Sequence, residues 1–368
     1  MTKARELADL IANVNHGSSL GNKNLIINGN MSCYQRGSKS FSANSYGYTL
    51  DRWELSNYID DNITVTQDSD VPTGEGFGNS MKITGSSGDN SLDSSDYMSM
   101  VTKLEGQNLQ VLNKGTSSAV PMTFSFWIKA TTTGTYIVEF ADNDNTRKIS
   151  KSYTVSSSNT WEKKEITIDA DTTGTLDDDN NNSLWIQMWF VAGSNFTGGS
   201  LNSSWTSSTT TNTRVVGQVN GMSSGSHNIY LTGVQLEIGE KATEFEHEPF
   251  EATLLKASRY YHRITYDNGA NRSFPAYNSN TTQAIANHTF PVPMRTRPTA
   301  IETNGTASDY DVAHTNTSTN CSGVPTYNET TIFGATIIGT VSSGLTAGQG
   351  GHLRLKNSGA YLAWSAEL

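Results

Sequence analysis

Charged residues are scarce in this chain. Asp, Glu, Lys and Arg make up 16% of its 368 residues, and the hydrophobic fraction reaches only 35%. Basic residues are the scarcer sign, leaving a net charge of -10. No basic face can be assembled from so few to meet phosphates, so nucleic acid is not an expected partner. Long apolar runs are missing too. No stretch approaches the length that spans a bilayer, and membrane insertion is not expected. The opening MTKARELADLIANVNHGSS is charged and amphipathic and lacks the apolar centre of a signal peptide. Cysteine is nearly absent. Cys33 and Cys321 lie almost a whole chain apart, which excludes a disulfide framework and leaves two free thiols or one long-range bridge.

Catalytic signatures are equally thin. No Gly-rich phosphate loop and no nucleophile elbow occurs. The seven histidines (His16, His227, His247, His262, His288, His314 and His352) are scattered without metal-ligand spacing. Neither an enzyme nor a cofactor nor a metal centre is expected. The densest acidic run, Asp177-Asp178-Asp179 with Asp169 and Asp171 upstream, reads as a solvated loop. Calcium binding is its alternative, because a flexible loop can supply several oxygen ligands, although EF-hand spacing is lacking.

Ser, Thr, Asn and Gly fill the space that charge and apolar residues leave, and short alternating segments run through them. Leu25–Ile27 predicts a short strand ending at the Asn28-Gly29 turn pair. Further strands are predicted around Trp53 and Leu55, Ile63 and Val65, Met81 and Ile83, and Met98–Leu104. Val120–Ala130 is the clearest, with Met122, Phe124, Phe126 and Ile128 on one face. Tyr136–Phe140 is expected to pair with it across a Thr-Gly turn. Trp161–Ile168, Leu184–Val191 and Ile229–Ile238 continue the series. Even spacing and polar turns predict an all-β chain built on an antiparallel β-sandwich of jelly-roll type. The sandwich is expected over residues 24–245, then a connector at 246–264 with helix permitted from Glu251 to Tyr261, then a smaller C-terminal β-domain at 265–368. Residues 1–23 precede it as a short helix and linker. In the helix, at 3–14, Leu7, Leu10, Ile11 and Val14 fall at helical spacing. Twelve residues are too few for a lone helix, so this stripe needs a partner. It docks on its own domain, anchors the chain to a larger particle or packs against copies of itself.

Rings on a polar sheet face are the best candidates for binding. In SLWIQMWF, Trp185, Gln187 and Trp189 share one face and Leu184, Ile186, Met188 and Phe190 the other. The aliphatic face must be core. The Trp-Gln-Trp face is either a second buried face or a surface for a ligand or subunit. Trp127 stands on the polar side of its strand. Glu139 would share a surface with Trp127 if their two strands pair. Trp205 lies in the long polar loop between Gly193 and Val215, either exposed or packing the loop down. Sugars stack their C–H faces on such rings and take hydrogen bonds from amides and carboxylates, so these five residues, Trp127, Trp185, Gln187, Trp189 and Trp205, are candidate glycan contacts.

Several segments carry a family resemblance. NLIINGNMSCYQRG (Asn24–Gly37) with YTLDRW (Tyr48–Trp53) resembles the opening of carbohydrate-binding-module-like domains in bacteriophage tail fibres. FSFWIKA is similar to the central strand of those sandwiches, and Gly193 through Trp205 to GVQLEIGEKATEFEH (Gly233–His247) to their closing loop and last strand. RYYHR (Arg259–Arg263) and FPVPMRTRPT (Phe290–Thr299) resemble the connector and C-terminal part of such fibres, notably in viruses of marine bacteria. The resemblance implies a jelly-roll sandwich, a place on the virion after synthesis in the host cytoplasm, a homotrimer, and a role in host recognition that prescribes no ligand; with the rings above, host surface polysaccharide is the expected partner. It implies other phage tail or capsid proteins as partners through the N-terminus. A capsid-attached head fibre, adaptor or decoration protein is the alternative. A polysaccharide depolymerase, which would need two acids in a cleft, is the third reading.

Overall fold

The structure, a computed structural model, describes residues 23–207, 211–223, 227–267, 269, 271–315 and 317–368. The helix expected at 3–14, with Leu7, Leu10, Ile11 and Val14, lies outside the described residues. The chain divides into two compact units between Thr253 and Leu254. The first holds β1 (Lys39–Phe41), β2 (Ser45–Tyr48), β3 (Glu54–Tyr58), β4 (Ile63–Asp68), β5 (Ser80–Gly85), β6 (Tyr97–Glu105), β7 (Met122–Ala130), β8 (Gly134–Asp142), β9 (Arg147–Val155), β10 (Glu162–Ile168), β11 (Asn182–Ala192), β12 (Thr206–Ser207) and β13 (Asn228–Ile238). They form two antiparallel sheets, in the orders β1-β4-β5-β13-β7-β10 and β12-β9-β8-β11-β6-β3-β2. The all-β sandwich read from the sequence is the fold.

One expected pairing is not made. β7 pairs with β10 and β13, and β8 with β9 and β11, so the two consecutive strands lie in opposite sheets. Each strand carries a row of large apolar side chains, Phe124, Phe126 and Ile128 on one and Tyr136, Val138 and Phe140 on the other, all fully buried. Side by side in one sheet, the two rows would still need covering. Face to face they cover each other, and the Phe124 and Phe140 rings meet edge-on with centroids 5.6 Å apart. Ile186, Met188 and Phe190 of β11 complete this layer.

Leu25–Ile27 is not a strand. The chain there makes a turn, with Asn28 left-handed at φ 62°. The buried Asn28 side chain donates to the carbonyls of Cys33 (2.9 Å) and Asp51 (3.0 Å) and accepts from Cys33 N–H (2.8 Å). Trp53 Nε1 donates to Asn28 O at 3.3 Å, and Asp51 takes Gln35 on both oxygens. This knot docks on a bulge in β13, where Gly233 sits at φ 61°. There Val234 N–H donates to Gly29 O at 2.9 Å and Leu25 N–H to Leu236 O at 2.9 Å. A Cβ on Gly29 would stand 1.9 Å from Val234 O, so only glycine fits. Beyond β13 the chain folds back. Thr243 N–H and Oγ1 bond the buried Glu237, Glu246 N–H donates to Gln235, and the Glu246 carboxylate accepts from Asn24 N–H at 2.8 Å. Most of the segments that carry the family resemblance meet here, and their work here is structural.

Helix α1 (Phe250–Ser258) falls in the expected connector. The second unit holds β14 (Tyr261–Thr265), β15 (Arg272–Asn278), β16 (Gln283–Thr289), β17 (Glu302–Thr303), β18 (Tyr310–His314), β19 (Thr317–Asn320), β20 (Thr326–Thr330), β21 (Gly334–Thr340), β22 (Gly350–Leu355) and β23 (Tyr361–Ser365). They form a small sheet, β14-β23-β17, and a larger one, β19-β18-β22-β15-β16-β21-β20. A turn with Gly359 at φ 89° separates β22 from β23. Phe274, Phe290, Ile337, Leu353 and Trp364 are core. In this unit His262 of β14 and His288 of β16 face each other, Nε2 to Nε2 at 3.0 Å with rings within 4° of parallel. The ring centroids are 5.1 Å apart, which with that contact makes the imidazoles edge to edge in nearly one plane. Trp364 lies almost parallel to both.

Cys33 and Cys321 are both free and buried, one in each unit, and burial pushes each thiol up to about 12.

Candidate functional site

Strand β11 runs through the middle of the seven-stranded sheet, so its two faces have different fates. Leu184, Ile186, Met188 and Phe190 point into the sandwich, and Trp185, Gln187 and Trp189 point out of it. Antiparallel register sets their neighbours. Trp185 stands between Lys103 of β6 and Ala141 of β8, Gln187 between Val101 and Glu139, and Trp189 between Ser99 and Ile137. The rows continue outward through Glu54 and Ser56 of β3 to Tyr48 and Tyr46 of β2, and through Lys148 and Ser150 of β9. On this face lies a groove of about 340 Å³ whose lining includes Tyr46, Tyr58, Tyr97, Lys103, Trp185 and Arg214.

At one end the floor is aromatic. Tyr58 stacks on Tyr97 at 4.7 Å, and Tyr97, Trp189 and Phe196 pack mutually at 5.4–5.5 Å. Burial, then the neighbouring Tyr58, pushes the Tyr97 hydroxyl up to about 12. Phe196 and Arg214 come from the long loop after β11, which folds back over the sheet. The Arg214 guanidinium lies 4.7 Å over the Trp189 ring and clamps both oxygens of Glu139, at 2.5–3.2 Å, while reaching Gln187 Oε1 at 3.1 Å. Gln187 then donates to Ser99 Oγ at 2.8 Å. Glu139 is fully buried, and its charge is met by this clamp. At the other end Lys103 lies 4.9 Å over Trp185 and pairs with Glu54 at 2.7 Å.

The five candidate residues do not form one site. Trp185 and Gln187 belong to the groove. Trp189 is fully buried beneath Arg214 and Phe196, so it supports the floor and offers no ring face to a ligand. Trp127 is on the outer face of the other sheet, where it packs with Phe77 against the Gly233 bulge. It therefore shares no surface with Glu139. Trp205 is the packing ring of its loop: it lies against the main core, its Nε1 donates to Asp169 O at 2.8 Å, and Lys114 sits 5.2 Å over it. The groove residues the sequence reading missed are Tyr46, at 67% exposure, and the half-buried Tyr58, Tyr97, Lys103 and Arg214. Among the described residues no group of three His, Cys, Asp or Glu side chains is placed to hold a metal ion. In the Asp177–Asp179 run, Asp177 and Asp178 are exposed, and Asp179 turns back onto Asn181 at 2.5–2.9 Å.

No protein-family model matches the chain, and no curated protein matches it. Among solved structures it is similar to the enzymatically active domain of tailspike protein 4 from bacteriophage CBA120, with 13% identity and a TM-score of 0.31, covering 59% of this chain and 22% of that one. It is similar to the family 11 carbohydrate-binding module of a Clostridium thermocellum cellulosomal cellulase, with 15% identity and a TM-score of 0.28, covering 61% of this chain and 99% of that one. A xylan-binding domain from Paenibacillus barcinonensis gives 9% identity and a TM-score of 0.28, over 61% and 100% of the two chains. Likenesses this shallow assign neither ligand nor activity.

Proposed function

We propose that the sandwich binds a polysaccharide on the outer face of its seven-stranded sheet, without catalysing a reaction on it. The observation that carries this reading is the groove. A fixed sheet floor presents the partly exposed Trp185 ring, the phenols of Tyr46, Tyr58 and Tyr97, and the cations Lys103 and Arg214, so stacking surfaces and hydrogen-bond donors converge in one depression. The two carboxylates on this face support binding over cleavage. Glu54 and Glu139 are three strand spacings apart, about 14 Å between backbones, each with a cation on it, whereas glycoside hydrolysis takes a pair within about 10 Å. Together with the resemblance in its sequence, this supports reading the chain as a virion tail fibre that presents the groove to a host-cell surface. It acts as a homotrimer, held to other tail or capsid proteins through the N-terminal segment. Several copies would make weak single sites adequate.

The test is binding of the whole protein to host cells and their extracted polysaccharide, by calorimetry and affinity electrophoresis. Trp185→Ala is expected to weaken binding at least about tenfold, and Trp127→Ala to leave it unchanged. Binding lost in the second variant and kept in the first would place the site elsewhere.

A further inference from the structure

We propose that the second unit carries a saccharide site of its own, on the outer face of its seven-stranded sheet, where the exposed Tyr277 ring borders a depression with a glycine floor. This goes beyond the reading above, which places binding on the sandwich alone, and it stands on different residues.

Strand alternation sets the face. Val312, Leu353 and Leu355 point into the core of this unit, so Ala313 of β18 and Gly350, His352 and Arg354 of β22 face outward. Antiparallel register lays the face out in rows. Ser318, Ala313, His352 and Pro275 make one row, and Gly350, Tyr277, Ile285 and Ile338 make the next. Ala313 contributes a single methyl, and a Cβ on Gly350 would meet nothing within 4 Å. The sheet surface is therefore low here. A depression of about 500 Å³ opens on it, and its lining includes His314, Thr317, Ser318, Gly350, His352 and Arg354. Tyr277, the register neighbour of Gly350 on β15, is 51% exposed beside it.

The polar groups of this face are held in place and unmatched. Asp311, directly opposite Arg354, is buried and accepts from its Nε at 2.8 Å and its Nη2 at 2.6 Å. That fork fixes the guanidinium and leaves Nη1 without a partner among the described residues. The first unit uses the same device where Glu139 holds Arg214. The His352 imidazole, the Thr317 and Ser318 hydroxyls and the Tyr277 phenol also make no hydrogen bond among the described residues. No carboxylate is among the described residues lining the depression, so it does not suit a metal ion. The lining is too polar for an apolar partner. A sugar fits both parts of it. Its hydroxyls meet the guanidinium edge, the imidazole and the Ser and Thr hydroxyls, and its C–H face meets the Tyr277 ring.

The experiment is calorimetric titration of the whole protein with oligosaccharides cut from the host's extracted surface polysaccharide. The wild type should take up two per chain, and Trp185→Ala should keep one of the two at wild-type affinity. In that background Tyr277→Ala is expected to weaken the remaining site at least about tenfold. Gly350→Leu fills open space at a residue whose φ is not left-handed, so it should abolish that site with the melting temperature unchanged. Phe333→Ala removes another exposed ring of this unit and serves as the control that keeps binding. One oligosaccharide per chain in the wild type and none in Trp185→Ala would overturn the second site and leave the sandwich reading standing. Residual binding that survives both Tyr277→Ala and Gly350→Leu overturns it as well. Binding that Tyr277→Ala removes and Trp185→Ala leaves untouched keeps this site and overturns the one on the sandwich. No binding by any form overturns both.

Discussion

Acid should destabilise the second unit through His262 and His288. Each imidazole takes up a proton near 6.5 when the chain is unfolded, but burial holds each down to about 4 in the fold. Repulsion from His288 and Arg272 adds to this for His262, and from Arg272 for His288. Between pH 6.5 and 4 the unfolded chain therefore binds more protons than the folded one. Stability is whole above pH 6.5 and falls as the pH drops through that window. The gap from 6.5 to about 4 is worth about 3 kcal/mol for one histidine. The second adds less than a full share, because the two shifts partly count the same repulsion. A loss of about 3–5 kcal/mol is a large part of the roughly 5–15 kcal/mol that holds a domain together. The rings are edge to edge with Trp364 alongside and Phe290 close by, so a doubly charged pair can separate only if β14 and β16, which belong to different sheets, move apart. Calorimetric melting from pH 7 to 4 should show a steep fall in one of two transitions, and His262→Gln with His288→Gln should flatten that fall. Imidazole resonances in the folded protein should not move until the pH nears 4. Either histidine titrating between pH 6 and 7 in the native state, or the same acid sensitivity in the double variant, would refute the reasoning.

Other predictions follow from the first unit. Lys114 is buried against Asp142 and Asp171 and donates to the carbonyls of Thr173 and Gly174, so Lys114→Met should cost about 3–5 kcal/mol by leaving the buried Asp142 without its cation, while Asp171 keeps Arg147, measured by urea unfolding. Gly29→Ala drives a methyl into Val234 O and should lose more than about 2 kcal/mol, whereas Gly78→Ala, with open space around it, should change little. Native Cys33 and Cys321 should resist maleimide at pH 7.5 and react fully in denaturant. Rapid modification of either thiol in the folded protein would contradict its burial.

Local pattern revealed the strands whose faces differ sharply. Met122–Ala130 and Asn182–Ala192 have large apolar side chains at every second position, and period two is enough to place them. Which sheet a strand joins was not legible for β7 and β8, because alternation says that a face is buried but not what covers it. Leu25–Ile27 read as a strand because its three apolar residues suit one. The competing force was a pair of asparagine side chains: Asn24 Oδ1 accepts from Ile26 N–H at 3.0 Å, and Asn28 ties the turn to the backbone of Cys33 and Asp51. The polar strands β18 to β20 carried too little contrast to be seen at all. In the site, Trp185 and Gln187 were readable from one strand. Tyr46, Tyr58, Tyr97 and Arg214 come from four separate segments, and only the strand order brings them together. The alternation of Tyr97, Ser99, Val101 and Lys103 against Met98, Met100 and Leu104 marks an outward face in the sequence, but only register shows that this face meets Trp185.

The clasp between Asn24–Gly29 and Gly233–Glu246 joins residues more than 200 positions apart. A ribosome releases the first of these segments long before the second exists. The early turn, with its buried Asn28 and Asp51, must wait unsatisfied or in provisional contacts until residue 246 has emerged. A fragment that stops before Gly233, or starts after Gly29, would leave that knot without its seat. Shortened versions of the first unit should therefore keep both ends, even when only the groove is wanted.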